Sequence, residues 1–69
     1  MDYSKLRGKI REVFGTQKAF AAEMGMDVAT VSAKLNGRYE WSRCEMEKTC
    51  KILGIPMSEM HLYFFCPIN

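Results

Sequence analysis

Apolar residues recur along the chain at helical intervals and nowhere alternate long enough, at a period of two, to make a strand. Tyr3, Leu6, Ile10, Val13 and Phe14 share one face opposite Lys5, Lys9 and Glu12, which predicts a first helix ended by Gly15. Thr16 is placed to cap a second helix, with Phe20, Ala21 and Met24 as its stripe and Gly25 as its stop. Asp27 is expected to cap a third helix from Val28, in which Val31 and Leu35 lie four apart before the Asn36-Gly37 breaker pair. Ser42 and Glu45 stand at capping-box spacing ahead of a fourth helix that carries Met46, Cys50 and Leu53 and stops at Gly54. Ile55-Pro56 then opens a short fifth helix through about Phe64. The second and third helices are joined by so few residues that they must cross steeply, which is the geometry of a helix-turn-helix.

Length limits what such an all-α unit can do. At 69 residues, 8.0 kDa and 48% hydrophobic content, the chain is expected to be one domain over 1–69. A domain this small buries only roughly 60% of its unfolded surface and has little scaffold for a deep substrate cleft. No nucleophile–base set, paired carboxylates in an apolar setting or phosphate loop is legible, so neither an enzyme nor a cofactor is expected.

The net charge of +2 is unevenly placed. Residues 1–14 carry Lys5, Arg7, Lys9 and Arg11 against Asp2 and Glu12, whereas residues 55–69 carry only Glu59. This bias suits a polyanion on one face and equally an ordinary solvated surface. Cys44, Cys50 and Cys66 are odd in number, contain no C-x-x-C pair and follow no secretory signal, so a reducing cytoplasm is the expected setting. Together with His61 their spacing fits no compact zinc site, so no metal is expected; Pro67 and Asn69 fit a prenylation signal poorly. The longest uncharged apolar run, Leu62 to Cys66, is far shorter than the about 20 residues a bilayer demands.

From Gln17 to Gly37 the sequence QKAFAAEMGMDVATVSAKLNG resembles the helix-turn-helix of the phage repressor/Cro (XRE-like) family. In that likeness Gln17 opens the first motif helix and Ala21 is the small residue at the helix crossing. Gly25 is the turn, Val31 the buried aliphatic of the second motif helix, and Asn36-Gly37 its close. The stretch Leu35 to Arg38, with Trp41 and Ser42 after it, is similar to the short phage-encoded members. The resemblance implies a compact five-helix, lambda-repressor-like domain with its motif at 17–37, acting as a transcriptional regulator of phage or prophage type. Lys34 departs from the pattern, because many members have an aliphatic residue there.

Carried over, the resemblance puts a recognition helix at about 28–36 into the major groove of double-stranded DNA. Val28, Ala29, Thr30, Ser32 and Ala33 would face bases, while Gln17, Lys18, Lys34, Asn36 and Arg38 would face phosphates. On the helical wheel Val28 lies nearer the core side, so both placements stand for it. The base-facing set holds no Arg, Asn or Gln, so readout would rest on thymine methyls, hydroxyl contacts and DNA shape, favouring T/A-rich half-sites. One such domain covers few base pairs, so a homodimer on a palindromic operator is expected, with half-sites about 34–36 Å apart. Leu62, Tyr63, Phe64 and Phe65 are the candidate dimer surface, or else close the core. Trp41 is expected to anchor packing against the fourth helix. Two alternatives remain open: an antitoxin-type autorepressor with a protein partner, and a protein-interaction module that has lost DNA binding. The low net charge and the plain recognition helix add some weight to the second of these.

Overall fold

The computed structural model describes residues 3–65. The elements are α1 (Ser4–Phe14), α2 (Gln17–Met24), α3 (Val28–Leu35), α4 (Arg43–Leu53) and, after a 3-10 turn at Met57–Glu59, α5 (Met60–Phe64). Among the described residues there is no strand, and the five helices follow the order read from the sequence.

Local chemistry sets most of the boundaries. The Thr16 hydroxyl accepts a hydrogen bond from the Ala19 N–H at 3.1 Å and so starts α2. The capping box at α4 is complete: Glu45 N–H donates to Ser42 Oγ at 3.1 Å and Ser42 N–H donates to Glu45 Oε1 at 2.8 Å. Asp27 departs from expectation, because its side chain makes no cap. Its own backbone carbonyl accepts from the Thr30 and Val31 N–H groups at 3.0 and 3.1 Å, so the first turn of α3 is closed without the carboxylate.

The motif helices meet at Ala21, which is 2% exposed, and the chain reverses at Gly25 with φ of +72°, a conformation that disfavours any residue with a Cβ. The Gly25 N–H donates to the Ala22 carbonyl and the Met26 N–H to the Ala21 carbonyl, while Lys48 from α4 donates to the Met24 carbonyl at 3.2 Å. The end of α2 is thereby satisfied by its own turn and by a neighbouring helix.

Leu6, Ile10, Phe20, Val31, Leu35, Cys50, Leu53 and Phe64 form the centre of the core. Val13 lies outside it, 45% exposed, because Phe14 makes the contact at that end of α1, its ring edge-on to Phe20 at 5.8 Å. Trp41 is buried as an anchor, but its ring packs edge-on against Phe64 of α5 at 5.3 Å and Tyr3 at 6.4 Å, tying both ends of the described chain to the loop before α4.

Two substitutions test the crossing. Ala21→Leu should destabilise the domain by about 1–3 kcal/mol through overpacking, and Gly25→Ala by about 1 kcal/mol through backbone strain. Urea unfolding followed by circular dichroism reads both; an unchanged midpoint for either would remove that residue from the account.

Candidate functional site

The outward side of α3 follows from which of its residues the core takes. Val31 and Leu35 are fully buried, which turns Val28 and Ala29 to solvent and leaves Thr30, Ser32 and Ala33 half-buried along the flanks. Val28 is 40% exposed, so it lies with the outward set and not against the core. This surface carries no charge and no side-chain amide. Tyr39, 62% exposed, stands in the turn beyond it.

Lys34 is the main departure from the expected phosphate-facing set. It is only 9% exposed, and its ammonium donates to the Glu40 carbonyl at 2.7 Å, pairs with Glu45 Oε1 at 3.0 Å and lies 5.9 Å from the centre of the Trp41 ring. Its aliphatic stem occupies the place an apolar residue would take, while the charge is neutralised internally. Lys34 is therefore directed away from any external phosphate. Burial pushes the Glu45 carboxyl up, but hydrogen bonds from the Ser42 backbone and the Lys34 ammonium, with the charge of Lys34, hold it below its ordinary 4.5.

Asn36 is also engaged, its Oδ1 accepting from Arg7 Nη2 at 2.7 Å while the same nitrogen donates to the Leu35 carbonyl at 2.8 Å. Arg7 of α1 thus clamps the C-terminal end of α3 across 28 and 29 positions of sequence. The remaining residues of that set stand apart: Gln17 is half-buried at the start of α2, and Lys18 and Arg38 are exposed. The sequence signal for Lys34 was its place at an aliphatic position with a cap carboxylate eleven residues on. Arg7 carried no local signal.

The four candidate dimer residues divide. Phe64 closes the core, 2% exposed, which removes it from a dimer surface. Tyr63 is partly buried with the Lys5 ammonium 5.3 Å from its ring centre, while Leu62 and Phe65 are exposed at 38% and 52%. Cys44 is exposed and Cys50 buried, with burial raising its thiol; Cys66 and the prenylation question lie outside the described residues. Among the described residues, no three His, Cys, Asp or Glu side chains stand close enough to hold a metal ion. None of their helices is long and apolar enough to cross a membrane.

Fold and surface together define a small all-helical domain in which a helix-turn-helix presents a neutral face. The chain belongs to the family described as "Protein of unknown function (DUF739)", whose model matches residues 1–66. It is similar to a solved structure, the modulator of repression (MOR) of the temperate bacteriophage TP901-1 from Lactococcus lactis. The two share 43% identity with a TM-score of 0.83, over 94% of this chain and 88% of that one. No curated protein matches the chain. These findings support a phage regulator but not the expected repressor/Cro membership specifically. They also overturn the leading functional expectation: the similar protein is described as a modulator of repression, not as a repressor. The internal pairing of Lys34 and the neutral α3 surface give that correction its physical basis.

The pairing has a pH signature. A carboxyl whose folded value is depressed stabilises fully above its unfolded value near 4.5, and that contribution is lost as pH falls through the lower folded value. Glu45→Gln keeps a side chain able to complete the cap but removes the charge; it should lower stability at neutral pH by about 1–2 kcal/mol, with the difference from wild type shrinking toward about pH 2. Arg7→Ala should cost about 1–2 kcal/mol by releasing the end of α3. Equal unfolding midpoints for wild type and variant would refute either claim.

Proposed function

We propose that this chain modulates phage repression by binding a repressor protein through the outward face of α3 and the turn after it. The observation that carries this reading is the neutral surface formed by Val28, Ala29, Ser32 and Ala33, on a helix whose one nearby buried cation is paired internally. Such a surface offers a phosphate backbone little and an uncharged protein surface a close fit, since small side chains let another backbone approach. The likeness to a modulator of repression over nearly the whole chain supports the same class of partner. Two copies of one chain are not needed for this role, and neither catalysis nor a cofactor enters it.

Ala29→Arg separates the protein-binding reading from the DNA-binding one. Titrated calorimetrically against the repressor encoded in the same phage or prophage, the variant should bind at least about tenfold more weakly than wild type while melting at the same temperature. An added arginine on a DNA-reading face would instead strengthen duplex binding. Unchanged repressor affinity, or tight binding of the wild-type chain to operator DNA without repressor, overturns the proposal.

A further inference from the structure

A cleft of about 480 Å³ lies between α1 and the start of α2, lined by Ser4, Arg7, Gly8, Arg11, Thr16 and Gln17 among others. Among the described residues no carboxylate lines it, and the charged groups they contribute are both arginines. Glu12, the acidic residue nearest in sequence, pairs with Lys9 at 3.6 Å. Arg11 makes no side-chain hydrogen bond or ion pair among the described residues. Arg7 is held in position by its bonds to Leu35 and Asn36 through Nη2, which leaves the donors on Nη1 and Nε.

Gly8 adds an independent observation. It sits inside α1, where glycine is less favourable than alanine, and a Cβ built on it would meet no heavy atom within 4 Å. Nothing in the fold requires the missing side chain. On the wall of the cleft, its absence leaves the helix backbone open to close approach from outside.

We propose that this cleft receives an acidic side chain, an Asp or Glu of the repressor, held by Arg11 and Arg7 and admitted by Gly8. The inference rests on the reading that the chain binds a protein, and deepens it by stating the charge the partner presents beside its contact with α3. A carboxylate is matched by two guanidinium groups, one free and one preoriented, and is small enough to sit against the bare backbone at Gly8. A DNA phosphate shares the anionic chemistry of a carboxylate, and the duplex arm of the test below separates the two sources.

The test uses the full chain, isotope-labelled, with a capped Glu-Glu-Leu-Glu-Glu peptide, its lysine counterpart and a short random duplex DNA as separate probes. The acidic peptide should shift the amide signals of Gly8, Arg11 and Gln17 saturably, and the lysine peptide should not. Arg11→Glu should abolish the effect, whereas Gly8→Leu should raise the melting temperature while weakening the peptide. Gain of stability with loss of binding is an outcome that damage to the fold does not produce. Both variants should also weaken the repressor about tenfold. Absence of peptide shifts, shifts that survive Arg11→Glu, or duplex DNA moving the same amides at least as strongly overturns the proposal. A repressor that binds wild type and both variants equally refutes the cleft but leaves the α3 reading standing. A repressor that binds none of the three refutes both readings, since the occupant of the cleft is then not the repressor.

Discussion

One buried ammonium sets the relation between α3 and the rest of the domain. Lys34 reaches from α3 to the cap of α4 through Glu45, to the backbone of the intervening segment at Glu40, and close to the Trp41 ring. Trp41 in turn meets Tyr3 and Phe64, so the position of α3 is coupled to both ends of the described chain. A buried ion pair contributes little net stability compared with an apolar pair of similar shape, but removing one partner leaves an uncompensated charge. The pair therefore matters chiefly through what its disruption would leave behind, a charge buried without its partner. Its functional consequence is the loss of a cation from the exposed surface.

A helix-turn-helix shape does not by itself fix what its exposed face binds. The crossing at Ala21 and Gly25 depends on side-chain size and backbone conformation, and neither specifies what the exposed face binds. Binding to nucleic acid depends on cations at phosphate distance and on donors and acceptors at base edges. Here Lys34 is turned inward, Asn36 accepts from Arg7, and the outward residues of α3 have no amide or guanidinium. The shape of the motif is kept while two of its expected phosphate-facing side chains, Lys34 and Asn36, are engaged within the domain.

The division between what the sequence reveals and what it hides follows the range of the interactions. Helix ends were legible because Thr16, Gly25, Ser42 and Glu45 act within a few residues of themselves. Val31 and Leu35 were legible as core by their spacing. The Asp27 cap failed on a competition that spacing does not encode, its own carbonyl against its carboxylate. The internal partners of Lys34 and Arg7 are hidden for a different reason: a cation reads as solvent-facing until a partner elsewhere in the chain is known. Glu45 lies eleven residues from Lys34, and Asn36 lies 29 from Arg7. The fold was thus readable almost throughout, whereas the fate of the charges was not.

The same two contacts bear on how firmly a partner can be held. Arg7 satisfies the Leu35 carbonyl, and the Gly37 and Arg38 N–H groups close onto the Lys34 and Ala33 carbonyls, so the end of α3 is ordered without being covered. A partner docking there has little further ordering to impose, and association is opposed less by lost conformational freedom. Yet a face of Val, Ala and Ser side chains yields little burial per residue and little directional information. Orientation must then come from charged groups at its rim, where electrostatic complementarity governs register and encounter more than affinity. Arg7 meets both requirements in one side chain: it rigidifies the neutral face through Nη2, and it carries its remaining charge to the neighbouring cleft.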